Sequence, residues 1–188
     1  MQEKIILASQ SPRRSQLLEW AEIPFEVVVR PTEETYPEGL DKTEIAIHIA
    51  RQKGLAVQRE NDFSSRIILS ADTIVVLGDR IIGKPRSRDE AVEILADLQG
   101  NRHEVVTGVV IRQGTREWAF ADVTGVIFHP LTHAQLEFYV DKYQPYDKAG
   151  AYAIQEWIGV VGIKEIQGDF YNVMGLPVSR VVQQLSLL

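Results

Sequence analysis

The chain has 188 residues, 45% of them hydrophobic and 24% charged, with a formal charge of −6 at pH 7 and no cysteine. This is the composition of an ordinary soluble globular protein, one large domain or two small lobes, long enough to bury a core. The missing cysteines exclude disulfides, thiolate zinc sites and thiol nucleophiles, and the acidic balance argues against duplex nucleic acid as a partner while leaving room for a local cationic pocket.

Met1 to Lys4 run straight into the strand-like Ile5-Ile6-Leu7-Ala8. That apolar run is too short for a signal peptide or a membrane span, so a cytoplasmic protein with no membrane partner is expected. Ser9-Gln10-Ser11-Pro12-Arg13-Arg14 follows. Ser11 has N-cap chemistry and Pro12 suits the first helical position, so a helix is predicted to about Ala21, with Leu17, Leu18 and Ala21 inward. A strand, a Ser-rich loop and a helix N-terminus together form an anion site, because free N–H groups and the positive dipole end face the loop. Arg13 and Arg14 oppose that dipole unless an anion compensates them. They read as phosphate contacts, or else as two solvated arginines.

Phe25 to Val29 is a second strand, emptying into a Pro- and Gly-punctuated loop that carries Glu33-Glu34. Asp41-Lys42-Thr43-Glu44 has capping-box spacing, and the helix after it places Ile45, Ala46, Ile49 and Ala50 at helical intervals and passes Lys53 on its way to about Arg59. Gly54 weakens that helix in its middle for no reason visible in the sequence. Asn61 to Ser65 is a loop. From Ile67 to Leu77, two apolar runs flank Ser70-Ala71-Asp72-Thr73 and read as two buried strands. A carboxylate in such surroundings needs a cationic or metal partner, or a place at a strand end lining a cleft; otherwise Asp72 is a buried bend cap. Leu77 to Arg80 turns and Ile81-Ile82 returns, a hairpin that would bring Lys84 near the level of Asp72 unless Lys84 is merely on an exposed turn.

Ser87-Arg88-Asp89-Glu90 is another capping box, opening a helix with Ala91, Ile94, Leu95 and Leu98 on one face and Gly100 at its end. Glu104–Arg112 and Trp118–Phe128 read as antiparallel strands, and Thr132 caps a helix to about Tyr143. A polar loop spans Gln144 to Gly150. Ala151–Gln155 and Val160–Ile166 read as strands, Gly168 to Pro177 as a loop, and Pro177 to Leu185 as a last helix with Val178, Val181, Val182 and Leu185 inward. Early alternation of strand and helix, then paired strands, gives an α/β or α+β mixture around one mixed sheet. There is no P-loop, no G-x-G-x-x-G and no G-x-S-x-G; His129 and His133 stand at H-x-x-x-H spacing, but no cysteine and no H-E-x-x-H accompanies them, so a zinc site is not expected. His103, near a strand start, faces a cleft or is a satisfied structural residue.

Taken together these stretches resemble the Maf family of nucleoside triphosphate pyrophosphatases. The resemblance rests on Leu7-Ala8-Ser9-Gln10-Ser11-Pro12-Arg13-Arg14, Ser70-Ala71-Asp72-Thr73-Ile74-Val75, Gly83-Lys84-Pro85, His103 to Val109, Asp147 to Gln155 and Tyr171 to Pro177, in order and across nearly the whole chain. It implies a single Maf/ITPase-like domain over 1–188, an α/β fold with a mixed twisted sheet flanked by helices, and two lobes with an active-site cleft. It implies hydrolysis of a nucleoside triphosphate to the monophosphate and pyrophosphate with a divalent metal, Mg2+ or Mn2+, and it allows a homodimer. Asp72 matches the family's proton-accepting aspartate. Ser9, Arg13, Glu34, Lys53 and Lys84 match positions tied to substrate and metal, Glu34 being the one assigned to metal, and Arg14 adds a phosphate contact. Arg13, Thr73 and Gln155 stand at the positions that divide the family by base, and their combination resembles the dTTP/UTP subgroup, with modified pyrimidine nucleotides within its range. After Gln155 the family's small Gly-rich turn is replaced here by Glu156-Trp157-Ile158-Gly159.

The resemblance and the chemistry agree on mechanism. Water attacks the α-phosphorus in line, Asp72 takes its proton, and the metal with Arg13, Lys53 and Lys84 offsets charge on the leaving pyrophosphate. Thr73 and Gln155 offer donors and acceptors to a pyrimidine edge. Two other readings stay open at this point: a nucleotide-binding cell-division regulator without turnover, and a pyrophosphatase of the methylated-GTP-preferring subgroup.

Overall fold

The computed structural model describes residues 4–59, 63 and 65–188. Met1 to Glu3 and most of the loop expected from Asn61 to Ser65 lie outside the described residues. Among the described residues β1 (Ile5–Leu7), β2 (Phe25–Val27), β3 (Ile68–Leu77), β4 (Arg80–Ile82), β5 (Arg102–Gln113), β6 (Arg116–Phe128) and β7 (Ile163–Gln167) form one seven-stranded mixed sheet in the order β2-β1-β3-β5-β6-β7, with β4 paired to β3. The chain divides into two compact units, Met1–Thr73 with Thr107–Asp122 and Gly175–Leu188, and Ile74–Val106 with Val123–Met174. Strands β3 (Ile68–Leu77), β5 (Arg102–Gln113) and β6 (Arg116–Phe128) each contribute to both.

In the first unit, β1 (Ile5–Leu7) lies parallel to β2 (Phe25–Val27) and to the start of β3, with Ile6 opposite Ile68 and Leu7 opposite Leu69. Between β1 and β2 runs α1 (Pro12–Trp20), which buries Leu17 and Leu18. Ser11 holds its N-cap position but makes no side-chain cap bond, and Pro12 stands in the first turn as its fixed φ favours. Helix α2 (Lys42–Gln58) opens with the full capping box: Asp41 accepts from the Thr43 and Glu44 amides, and Glu44 reaches back to the Asp41 amide at 2.9 Å. Helix α7 (Val178–Leu185) closes the unit; Val181 is buried, whereas Val182, expected inward, is exposed.

The seat of α2 explains Gly54. A Cβ at Gly108 on β5 would stand 2.2 Å from the Ala46 carbonyl carbon, and one at Gly54 would stand 2.8 Å from Ser70 Oγ. The helix therefore lies directly on β3 and β5 where neither contact has room for a methyl group. Glycine costs the helix about 1 kcal/mol relative to alanine, and it admits this approach. Polar contacts tie the helix to the β5–β6 end: Arg51 Nε to Glu117 Oε1 at 2.8 Å and Arg112 Nε to Gln58 Oε1 at 2.7 Å.

In the second unit, the end of β3 pairs antiparallel with β4 (Arg80–Ile82), Val75 opposite Ile82. Helix α3 (Arg88–Leu98) packs on α4 (His133–Tyr143) and on a 3₁₀ turn at Ala149–Ala151. Thr132 caps α4 as expected, and with Gln135 it forms a full capping box. At α3, Ser87 accepts from the Glu90 amide, but Glu90 returns to the Arg86 amide instead. Helix α5 (Trp157–Gly162), β7 (Ile163–Gln167), antiparallel to β6, and α6 (Phe170–Met174) complete the unit.

Further expectations change, beginning with the loop expected over Gly168 to Pro177, which holds α6. Ile68–Leu77 is one continuous strand, so Asp72 sits mid-strand and not between two strands. Ala151–Gln155 is no strand; the left-handed Gly150 and Ala151 bend it out of extended backbone. Val160 and Val161, read as strand, lie in α5 with Val160 exposed, because a short apolar run carries no period that separates helix from strand.

Candidate active site

Successive side chains of a strand point to opposite faces, so Ser70 and Asp72 share one face of β3 and Thr73 takes the other. The Ser70 face is the one on which α2 rests at Gly54. Lys53, next to Gly54, is thereby carried to Asp72: its Nζ donates to Asp72 Oδ1 at 2.6 Å. The same Nζ donates to Glu34 Oε1 at 2.8 Å from the loop after β2. The close approach of helix to strand is what sets this pair. Of the two adjacent acids, Glu34 meets Lys53, and Glu33 lines a shallow polar pocket with Thr32, Thr35, Gln52 and Arg59.

On the other face, Arg14 is buried and spreads its guanidinium over three oxygens. Nη1 donates to Ser9 Oγ at 2.9 Å, Nη2 to Thr73 Oγ1 at 2.9 Å and Nε to the Gly175 carbonyl at 2.7 Å. Thr73 Oγ1 also lies 2.9 Å from Thr107 Oγ1. Burial pulls the Arg14 guanidinium down to about 10, against the opposing pull of the Asp72 carboxylate. Arg13, one residue earlier in the first turn of α1, is half-buried. Direct contacts in the first unit thus gather Ser9, Arg14 and Thr73 in one set and Lys53, Asp72 and Glu34 in another, with the Asp72 charge felt at Arg14.

Lys84 and Gln155 belong to the second unit. Both are exposed, on stretches that the structure links there: the Gly150 amide donates to the Gly83 carbonyl at 3.1 Å, joining the Gly83-Lys84-Pro85 stretch to the Asp147–Gln155 stretch. Gln155 is flanked by fixed neighbours. Tyr139 Oη accepts from the Ala153 amide at 3.1 Å and donates to Glu156 Oε2. Lys148, buried with Nζ 2.7 Å from Asp147 Oδ1 and 3.8 Å from Glu156 Oε1, was not marked by sequence reasoning as a site residue. Its signal was present: a lysine at the end of a polar loop, just before the apolar Ala149 to Ile154, with acids at 147 and 156 to meet it.

Among the described residues no three His, Asp or Glu side chains gather as a metal cage. A magnesium site does not need one. Mg2+ is usually held by one or two carboxylates, with water and substrate phosphates completing its shell. Asp72 and Glu34, both hard oxygen donors drawn to one cation at Lys53, have the chemistry for that role. No helix among the described residues is long and apolar enough to cross a membrane.

The sequence model of the Maf-like protein family matches residues 4–188. A dTTP/UTP pyrophosphatase from Cytophaga hutchinsonii is 50% identical over 96% of this chain and 82% of its own length. One from Parabacteroides distasonis is 45% identical, covering 97% of this chain and 94% of its own. A solved structure of the Staphylococcus aureus Ham1 protein superposes with a TM-score of 0.53 at 15% identity over 98% of both chains, a likeness that concerns the fold alone. A family match over nearly every residue, and relatives close to half identical over nearly the full length, establish that this chain belongs to the Maf family.

Proposed function

We propose that the chain is a nucleoside triphosphate pyrophosphatase that converts dTTP and UTP to their monophosphates and pyrophosphate. The geometry that carries this reading is the cluster in which Lys53 draws Asp72 and Glu34 together, close enough for both carboxylates to act on the charge of Arg14 in α1. The names of the relatives support the substrate.

In the reaction a water oxygen bonds to the α-phosphorus while the bond from that phosphorus to its bridging oxygen breaks. Lys53 occupies Asp72 Oδ1 and orients the carboxylate, and Oδ2 accepts the proton of the attacking water. Arg13 and the amides at the start of α1 balance phosphate charge in the first unit. Lys84 is assigned to the leaving pyrophosphate and Gln155 to the pyrimidine edge. Glu34, with the substrate phosphates, would hold Mg2+ or Mn2+, whose contribution is to neutralise charge on the phosphates. A cytoplasmic enzyme is the reading that suits such substrates, and a homodimer belongs to the same reading.

The test is a panel of dTTP, UTP, ATP and GTP with the purified protein and Mg2+, scoring pyrophosphate against orthophosphate. We expect pyrophosphate, the highest kcat/KM for dTTP and UTP, loss of turnover in excess chelator and recovery with Mg2+ or Mn2+. Orthophosphate as product would refute the reaction, a clear preference for GTP the pyrimidine assignment, and full turnover in chelator the metal.

A further inference from the structure

The hydrogen bonds around Ser9 fix which way its hydroxyl can act. A serine hydroxyl has one hydrogen to donate and two lone pairs to accept with. Arg14 Nη1 donates to Ser9 Oγ at 2.9 Å, and the Ser11 amide donates to the same oxygen at 3.3 Å. Both lone pairs are then engaged, and the hydrogen is what Ser9 has left to offer. Arg14 is held firmly enough to impose this. It is buried, and its other two contacts, to Thr73 Oγ1 and the Gly175 carbonyl, come from β3 and from the chain just before α7. A planar guanidinium anchored at three oxygens keeps its orientation. Its neighbours at hydrogen-bond distance are neutral, so the bonds serve geometry and do not neutralise its charge.

We propose that Arg14 is a positioning residue that presets Ser9 as a hydrogen-bond donor to an oxyanion of the substrate's phosphate chain. Arg14 itself does not contact the phosphates. This rests on the pyrophosphatase reading, and it replaces the direct phosphate contact expected of Arg14 from sequence. With Arg14 shortened, the Ser9 hydroxyl is free to rotate and turn a lone pair toward the anion, where it repels.

The test is a double-mutant cycle of Ser9→Ala with Arg14→Met, repeated with Arg14→Lys, which keeps the charge and cannot span three acceptors. Pyrophosphate release from dTTP gives KM and kcat separately, and thermal melting gives the folded fraction. Ser9→Ala alone should raise KM about ten- to a hundredfold, the weight of a hydrogen bond to a charged group. Each Arg14 variant should raise KM by a similar factor while kcat per folded molecule changes less, a split that mere loss of folded protein cannot produce. In either double variant, removing the Ser9 hydroxyl should cost almost nothing more. If Arg14→Met does not fold, the Arg14→Lys cycle decides. Factors that multiply in the double variants, or an unchanged KM in Arg14→Lys, would overturn the proposal. Calorimetric binding of inorganic triphosphate to the same proteins separates the two readings. Coupled loss of triphosphate binding in a wild-type protein that releases no pyrophosphate would sink the pyrophosphatase assignment and keep the role of Arg14. Hydrolysis with independent effects would do the reverse, and a wild type that neither binds nor hydrolyses would sink both.

Discussion

Two ion-pair clusters in this protein share one plan, a cation between two carboxylates. Lys53 holds Glu34 and Asp72 at 2.8 and 2.6 Å, and Arg88 holds Glu137 and Asp141 at 3.2 and 2.6 Å. Their distances are nearly the same, and their depth is not. The Arg88, Glu137 and Asp141 side chains are 42%, 38% and 55% exposed on α3 and α4, whereas Lys53 and Asp72 are 19% and 11% exposed where α2 rests on β3. Water and salt compete for each bond of the outer cluster, so its carboxylates are interchangeable tethers. In the inner cluster Lys53 and Asp72 have lost most of their water and depend on each other, while Glu34, 47% exposed, keeps its own. Depth, and not the count or length of ion pairs, separates a surface clasp from a carboxylate able to take a proton.

Matched substitutions break or confirm that contrast most sharply. Asp72→Asn keeps shape and removes the proton acceptor, so turnover should fall by roughly a hundred- to ten-thousandfold while nucleotide binding survives. Asp141→Asn, the equivalent change in the outer cluster, should leave both turnover and melting temperature where they were. Assay and melting curve on one preparation of each variant read both. Near-normal turnover per folded Asp72→Asn molecule would make the inner cluster structural, and the contrast would vanish.

The seat that brings Lys53 inward offers the next test. A Cβ at Gly108 would meet the Ala46 carbonyl carbon at 2.2 Å and the Ile47 nitrogen at 2.3 Å, backbone atoms that cannot turn aside. Gly108→Ala must lift α2, a form of overpacking that costs about 1–3 kcal/mol, and it should lower turnover per folded molecule by moving Lys53 from Asp72. At Gly54 the obstacle is Ser70 Oγ, the end of a side chain that can rotate. There the gain of about 1 kcal/mol in helix propensity offsets the crowding, so Gly54→Ala should change the melting temperature little. If Gly108→Ala melts and turns over like wild type, α2 is not seated as described.

Much of this was legible in advance because the signals were local. The Asp41–Glu44 box and the Thr132 cap fix their helix starts through bonds within four residues and form as read, whereas of the Ser87–Glu90 box only the Ser87 half forms. The demand that Asp72 find a cation also held, since a carboxylate among apolar neighbours has few alternatives. What escaped was set by distant chain. Gly54 has its reason in Ser70, and the inward turn of Arg14 in Thr73 and Gly175, which no window around either residue contains. Val160 and Val161 misled because an apolar run of two fits a strand and a six-residue helix equally well.

The smallest effect comes from a buried group outside both clusters. His103 is almost wholly buried, its Nε2 2.8 Å from Tyr152 Oη and its ring 5.5 Å from that of Phe128, and its Nδ1 has no hydrogen-bond partner among the described residues. Burial, with a smaller push from the Arg102 charge, lowers its imidazole to about 4. An unfolded histidine titrates near ~6.5. Between those values the unfolded chain binds a proton that the folded one refuses, so stability is complete above about 6.5 and is lost as pH falls toward 4. One such group gives a slope of up to about 1.4 kcal/mol per pH unit, overlaid on whatever the carboxylates contribute. His103→Gln should therefore flatten the fall of melting temperature between pH 6.5 and 4.5 relative to wild type. If His103→Gln and wild type lose stability in parallel over that window, His103 takes up its proton in the folded state as readily as in the unfolded one, and burial there does not exclude charge.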